Sequence, residues 1–461
     1  MDSFEYIELI ERKKEVQELL LNFIDSIDDD KVEILKLSEI IENNKIELKE
    51  FLYLITNISE NHHRYPSLFP KIEQILLIYK ESIKQNFSNY EIFQIFKNNK
   101  KILLFLIKEK LFEIDQKICN ILISYQYKNN KYLHYFFPEI KPFIDSKLVS
   151  QIEKEIHEFI QNGFEVFENN RKIGENDLYV CNLIRNDLVE DFIAYTTKSC
   201  MNLSSNINRK SIFETNSFLM ERTPTLIEYA TYFGSIQIFK YLAINNVQLK
   251  PSLWEYAVYS NNAEIIHLLE EHKVKCNDYG MCFNDSIKCH HNNIATYIKE
   301  NYINYYINTN NGIMYYNYAF FPKYENICSF FASSCKYNHQ TFVEVFLYST
   351  EIIININNNK ILFYVFLIII FSFFFFKKTA LQIAVENENV DLVYLLLTHP
   401  DIMINSYINY GIDPLFMAIE MNSVEIVKVL LSHPTTAINK INIFKFLFLN
   451  DIYNNLLDLL C

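Results

Sequence analysis

The feature that most constrains this chain is a short sequence template that occurs several times. It consists of a residue able to cap a helix, a small residue five positions later, and an apolar run beginning eight positions after that. The clearest copies begin at Thr225, Thr379 and Asp413. Thr and Asp side chains accept backbone N–H groups at helix starts, and the apolar run predicts a second helix with one buried face. Each copy therefore predicts a helical hairpin, and hairpins of this kind stack side by side to bury their apolar faces.

Two copies carry a family resemblance. TALQIAVENENVDLVYLLL (379–397) and DPLFMAIEMNSVEIVKVLL (413–431) resemble the ankyrin-repeat signature T-P-L-H-x-A-A-x-x-G-H-x-E-I-V-K-L-L-L. The resemblance implies an all-α solenoid that binds other proteins through a concave surface and has no catalytic activity. Clear repeats lie at 225–243, 252–269, 379–397 and 413–431, and weaker repeats lie near 182–195, 282–298 and 330–347. We therefore expect a helical domain over residues 1–175 and an ankyrin-repeat array with two insertions over residues 176–461.

The copies depart from the signature at two places. The turn glycine is mostly replaced by Asn or Glu, and the histidine of T-P-L-H is replaced by Glu228, Gln382 or Phe416. The hydrogen bonds that cap the first helix must therefore come from other side chains.

Two intervals between small positions, 286 to 334 and 334 to 384, exceed the ankyrin period of 33 residues by about 15 to 17 residues. The first excess lies near residues 301–321, which are rich in Tyr and Asn, and we expect a surface loop there.

The second excess lies at residues 359–376, where positions 361–376 form sixteen uncharged and almost wholly apolar residues. As a helix they would reach about 24 Å, less than the roughly 30 Å of a bilayer core. Removing residues 359–375 restores a normal repeat loop, so we favour a retained intron of an AT-rich gene. The alternatives are a membrane anchor through 361–376 and a buried structural helix.

Apolar residues at helical spacing fill residues 1–170. The whole layout is similar to a family of protist ankyrin-repeat proteins with an N-terminal helical domain of unknown function. The stretches that carry this similarity are 61–64 (NHHR), 87–107 and 211–219. The resemblance implies an architecture and an interaction role only.

Composition excludes several functions. The net charge of −13 would repel a nucleic acid, so we expect no nucleic-acid partner. Six isolated glycines cannot form a phosphate-binding loop, a dinucleotide turn or a nucleophile elbow. Nine cysteines without a CxxC pair, and an acidic start where a secretory peptide would be basic, predict a reduced cytoplasmic protein. A membrane location is the alternative if 361–376 spans a bilayer.

These observations predict a non-enzymatic scaffold or adaptor that binds a protein partner. The alternatives are a membrane-anchored ankyrin protein and an enzyme whose site lies unrecognised in the N-terminal helices. Four tyrosines at first-helix positions that we expect to be exposed, Tyr229, Tyr232, Tyr256 and Tyr259, are the candidate partner-binding residues. In the ankyrin fold that face lines the concave groove, where tyrosine rings can anchor a partner. Packing within an aromatic-rich chain is the equal alternative.

Metal and cofactor sites are not expected. The segment with Cys276, Cys282, Cys289, His290 and His291 offers thiols and imidazoles, but its spacing fits no standard zinc pattern. The pair His62-His63, followed by Arg64, favours a helix end or the edge of a core over a catalytic pair. The run 28–30 lacks the alternating oxygens and the glycine of a calcium loop, so we expect a solvated loop there.

Overall fold

The structure is a computed structural model in which part of the chain is described. The described residues are 3–26, 36–41, 44, 46–64, 67–124, 132–161, 164–207, 211–305, 310–321, 327–348, 378–399, 402, 404–405, 413–434 and 436. Over these residues the chain is helical and has no strand, so the expected all-α fold is confirmed. The acidic run 28–30 and the apolar segment 359–376 lie outside the described residues. Among the described helices, none combines the length and apolar character needed to cross a bilayer.

The first 175 residues form a series of helices separated by short turns. Besides a helical stretch at 36–41, they are Ser3–Asp25, Leu48–Asn61, Leu68–Ile78, Lys80–Asn86, Asn89–Phe96, Lys100–Lys108, Gln116–Ile123, Tyr132–Tyr135, Phe137–Ile140, Ser146–Glu155, His157–Ile160 and Glu165–Ile173. A 3-10 turn occupies Lys141–Phe143.

Helical hairpins follow, which we number as pairs 1 to 7. In chain order they are Tyr179–Arg185 with Val189–Lys198, Leu226–Phe233 with Ile236–Ile244, Leu253–Ser260 with Ala263–Glu271, Tyr279–Lys288 with Asn292–Tyr302, Ile327–Lys336 with Gln340–Tyr348, Ala380–Glu386 with Val390–Leu397, and Pro414–Glu420 with Val424–Ser432. Short helices Ser217–Met220 and Asn310–Met314 and a 3-10 turn at Tyr318–Phe320 lie between pairs. First helices contact one another successively in pairs 1 to 4 and in pairs 5 to 7.

The first helices of pairs 2, 6 and 7 begin at the capping groups that the sequence indicates. In pairs 2 and 6 a capping box forms, because the side chain of Glu228 or Gln382 accepts the backbone N–H of Thr225 or Thr379. In pair 7 the Asp413 carboxylate accepts from the backbone N–H of Phe416 at 2.7 Å. The caps are therefore rebuilt with side chains other than histidine.

The turn between the two helices of a pair uses one left-handed residue. It stands four positions after the small residue in pairs 2 to 7: Gly234, Asn261, His290, Asn338, Glu388 and Asn422, with φ between 51° and 69°. Glycine and asparagine enter this region readily, whereas a side chain such as that of Glu388 is strained there. The replacement of glycine by asparagine at these turns thus keeps the backbone geometry.

Glycine at position 388 should relieve this strain. We expect Glu388→Gly to be more stable than Glu388→Ala by about 1–2 kcal/mol, because both lose the glutamate side chain and only alanine keeps a Cβ. If residue 388 were in a right-handed helix, the alanine variant would instead be more stable than the glycine variant. Urea unfolding of the two variants measures the difference, and an alanine variant at least as stable as the glycine variant would contradict a left-handed residue 388.

By its contacts the chain divides into two compact units. We call the described part of 18–40 and 51–307 the central unit, and the described part of 1–17, 41–50 and 308–461 the C-terminal unit. Pairs 1 to 4 belong to the central unit and pairs 5 to 7 to the C-terminal unit.

In the C-terminal unit, residues 310–321 are folded and largely buried, so the expected surface loop is wrong for this part of the insertion. The Tyr316 ring stacks on His339 at 3.9 Å, and Tyr318 is 3% exposed. At Gly312 an added Cβ would lie 2.5 Å from the Phe320 carbonyl oxygen, so only glycine fits this close approach. Three of the aromatic residues that suggested a loop, Tyr316, Tyr318 and Phe321, are instead core residues.

A buried ion pair joins the N-terminal helix to pair 5 inside the C-terminal unit. Lys13 donates to Glu50, and the side chains are 2% and 1% exposed. The second oxygen of Glu50 accepts from the backbone N–H of Thr341 at 3.0 Å. Burial acts to raise the pKa of Glu50, but Lys13, His339 and the hydrogen bond from the Thr341 N–H together outweigh it and lower the pKa. Glu50 is therefore a buried carboxylate that depends on Lys13.

Removal of the lysine charge should leave this carboxylate uncompensated. We expect Lys13→Met to destabilise the protein by about 3–5 kcal/mol. The matched control is Lys378→Met, because Lys378 pairs with Glu386 at the surface and such pairs contribute about 0–1 kcal/mol. Thermal and urea unfolding compare the two; equal effects would show that the Lys13 pair is not buried as described.

Candidate functional site

The four candidate tyrosines are buried. Tyr229, Tyr232, Tyr256 and Tyr259 are 1%, 4%, 4% and 2% exposed, so the expected exposure of these positions is wrong. Desolvation by burial raises the pKa of each phenol above its ordinary value. These side chains offer almost no surface to a partner, which favours the packing alternative.

For Tyr232, Tyr256 and Tyr259 the physical reason is a short helix of the central unit that lies over them, whereas Tyr229 contacts Arg185 and Phe233. Phe218, in helix Ser217–Met220, has its ring 4.1 Å from that of Tyr259, 5.1 Å from Tyr256 and 5.8 Å from Tyr232. The first-helix face of pairs 2 and 3 is thus covered by the chain itself. Nothing in the local sequence around Phe218 indicates this contact.

Arg64 supports the same covering segment. Its guanidinium donates to the Glu175 carboxylate at 2.7 Å and to the Gly174 carbonyl at 3.2 Å, and it lies 3.7 Å from Glu214. Burial and the Glu175 carboxylate raise the pKa of Glu214 to about 7, with Arg64 opposing them. The amide of Asn216 donates to the Glu60 carbonyl at 3.5 Å. Buried charges therefore hold residues 214–216 near the end of helix Leu48–Asn61.

The cysteines and histidines in and before pair 4 do not form one cluster. The sulfur atoms of Cys276 and Cys282 are 3.4 Å apart, and their shared hydrogen bond lowers the pKa of Cys276. Cys289 is fully buried, and burial raises the pKa of its thiol. His290 is the left-handed turn residue of pair 4. His291 follows it and begins the second helix.

The predicted helix-end position of His62 is confirmed, since helix Leu48–Asn61 ends directly before it. The structure also brings His62 and His63 to His291, and their potential ligand nitrogens all lie within 4.8 Å of one another. Nδ1 of His63 is 3.2 Å from Nε2 of His291. Sequence reasoning missed this cluster because 228 residues separate His63 from His291. The only signal available was the HH dipeptide at each end.

In the C-terminal unit, the second helices of pairs 5 to 7 carry one solvent-facing residue at the same template position. These residues are Glu344, Tyr394 and Lys428. Tyr394 is 67% exposed, and half-buried apolar side chains on the same helix, Leu395 and Leu397, lie beside it in sequence. This side of pairs 5 to 7, which we call the Tyr394 surface, combines an aromatic ring with one charge of each sign.

A comparison with models of known protein families gives a match. A family model described as ankyrin repeats, in three copies, matches residues 330–442. The matched residues contain pairs 5 to 7, including the weaker repeat at 330–347. No curated protein matches the chain.

Truncation of a candidate tyrosine separates packing from partner binding. We expect Tyr232→Ala to destabilise the isolated protein by about 3–5 kcal/mol, as loss of a large buried ring does. Tyr179→Ala is the control, because Tyr179 lies in the same unit and is 56% exposed, and we expect a change within about 0.5 kcal/mol. Urea unfolding measures both. An unchanged stability for Tyr232→Ala would restore the binding interpretation.

Proposed function

Because the chain is an ankyrin-repeat protein, we propose that it is a non-enzymatic adaptor that binds a protein partner through the Tyr394 surface of residues 330–442. Ankyrin repeats support a protein–protein interaction role. The observation that carries this choice of surface is the exposure of Tyr394, an aromatic side chain placed in solvent at 67%.

Two arguments favour the Tyr394 surface over the first-helix face. The first-helix face of pairs 2 and 3 is covered by Phe218 and its neighbours, so a partner would have to displace them. Tyr394 requires no displacement, and a tyrosine buries a large rigid ring at low entropic cost when a partner covers it. Interface energy concentrates in such aromatic anchors.

The flanking charges give the surface an orientation. Glu344 and Lys428 stand on the second helices at either side of the Tyr394 helix, and successive second helices of pairs 5 to 7 contact one another. A partner with a basic residue at one side and an acidic residue at the other meets complementary charges in one direction only. The surface therefore favours a protein partner with an apolar pocket between opposite charges.

Crosslinking at the exposed positions tests this proposal. A photoreactive amino acid replaces Tyr394 in the full chain in cells, and the control replaces Tyr179, which is exposed outside the matched repeats. We expect a protein crosslinked from position 394 and absent from position 179. The identified protein is then purified, and its affinity for the chain is measured by calorimetry.

Tyr394→Ala should weaken that affinity about 30-fold, the effect of losing an anchor worth about 2 kcal/mol. Its unfolding free energy should stay within about 0.5 kcal/mol of the unmodified protein, because the ring is exposed. The same crosslinked proteins from both positions, or an unchanged affinity, would refute the proposed surface.

A further inference from the structure

The histidine cluster of the central unit has the composition of a metal site. Asp25 ends helix Ser3–Asp25, His62 and His63 follow helix Leu48–Asn61, and His291 precedes helix Asn292–Tyr302. We propose that His62, His63 and His291 bind one Zn²⁺ ion and that Asp25 supplies the fourth ligand. Imidazole nitrogens with one carboxylate are a donor set that zinc accepts, whereas calcium and magnesium prefer oxygen alone.

Backbone carbonyls hold two of the rings with a nitrogen facing the cluster. Nδ1 of His291 lies 2.7 Å from the Val258 carbonyl oxygen, and Nδ1 of His62 lies 2.7 Å from that of Cys289. A carbonyl oxygen only accepts, so each Nδ1 carries the proton and donates it. Each Nε2 is then the candidate ligand atom, and a metal would displace the hydrogen bond between Nε2 of His62 and Asp25. Metal-binding histidines are oriented in this way, by donating their other N–H to a carbonyl or carboxylate.

The distances within the cluster approach those of a tetrahedral site. Zinc–nitrogen bonds of about 2.0–2.1 Å place neighbouring ligand atoms about 3.3 Å apart. Nδ1 of His63 is 3.2 Å from Nε2 of His291, and Nε2 of His62 is 2.9 Å from a carboxylate oxygen of Asp25. The histidine ligand atoms all lie within 4.8 Å of one another, so at least one ring would have to shift for all of them to reach one ion.

Burial favours the neutral form of two of the three rings, His63 and His291. Burial, together with the nearby His62, lowers the pKa of His63 to about 3, and the same causes bring that of His291 well below its ordinary value. Neutral imidazoles are ligands and imidazolium ions are not. Burial acts to raise the pKa of Asp25, but the hydrogen bond with His62 and the electrostatic effects of His62 and His63 together outweigh it and lower the pKa.

A path from solvent to the cluster exists. The Asp25 side chain is 40% exposed and that of His63 is 18% exposed, whereas His62 is 1% exposed. An ion thus reaches the carboxylate first and the buried imidazoles afterwards. Without metal, Nδ1–H of His63 donates to Nε2 of His291; a metal bound at Nδ1 replaces that hydrogen bond, and the ring proton moves to Nε2 of His63.

The experiment uses the full chain, stripped of metal by a chelator and then titrated with ZnCl₂ against a competing chromophoric chelator. Elemental analysis gives the stoichiometry, and Co²⁺ in place of Zn²⁺ gives the visible absorption of a tetrahedral site. We expect one equivalent of zinc and a rise in melting temperature with zinc concentration.

His63→Ala should weaken zinc binding about 100-fold or more, and Asp25→Asn should weaken it about tenfold. His63 is chosen because it donates no hydrogen bond to a backbone carbonyl in the cluster, so its loss spares the carbonyl contacts that orient His62 and His291. The matched control is His267→Ala, which removes an exposed histidine of helix Ala263–Glu271 and should leave the affinity unchanged. Circular dichroism checks that each variant is folded.

Three results would overturn the proposal. One is less than a tenth of an equivalent of zinc on the unmodified chain at micromolar free Zn²⁺, which would leave a hydrogen-bonded histidine cluster only. Another is an unchanged affinity in folded His63→Ala. The third is loss of zinc in Cys282→Ser with retention in His63→Ala, which would place the ion at the Cys276–Cys282 pair.

Discussion

The hairpins of pairs 2 to 7 depend on the close approach of their two helices at one small side chain. The residues at this position are fully buried in pairs 2 to 7: Ala230, Ala257, Ser286, Ser334, Ala384 and Ala418. A larger side chain there would force the helices apart and open the contact between successive first helices. The left-handed residue four positions later then reverses the chain direction, and in pairs 2 and 4 to 7 the next backbone N–H returns to the carbonyl of the small residue at 2.9–3.1 Å. Packing and turn together make each repeat stackable.

The fold could be predicted from sequence because its determinants are local. Capping groups, small residues and apolar runs lie within about twenty residues of one another, and each signals its element independently. The replacement of glycine by asparagine at the turns can also be understood from sequence, because asparagine is one of the few residue types that tolerate positive φ. Asn261, Asn338 and Asn422 all have positive φ. The transmembrane, intron and buried-helix interpretations of 359–376 remain three hypotheses, because that segment lies outside the described residues.

The candidate sites could not be predicted in the same way, because their determinants are distant in sequence. The tyrosines were expected in a groove since the ankyrin face is open when nothing covers it, and only the three-dimensional structure shows Phe218 on them. The Lys13–Glu50 pair joins residues 37 apart, and the histidine cluster joins residues 228 apart. No periodicity or spacing encodes such contacts. If the first helices of a repeat protein are covered by its own chain, a partner must bind another side of the array. We therefore chose the Tyr394 surface by the solvent exposure of its side chains rather than by the usual binding position in the repeat.

Two histidines show how the same template position acquires different chemistry. His291 and His339 both stand five positions after the small residue, and a ring nitrogen of each lies 2.7 Å from a carbonyl oxygen, that of Val258 or Ile313. Burial lowers the pKa of both, to about 4 for His339. His339 then meets the rings of Tyr316 and Phe321, so its remaining surface contributes aromatic packing to a core. His291 meets His62 and His63, so its second nitrogen faces other ligand atoms and an ionised carboxylate nearby. In both places the repeat orients an imidazole whose neutral form is favoured by burial. The segment packed against that imidazole determines whether its second nitrogen lies in a core or faces other potential metal ligands.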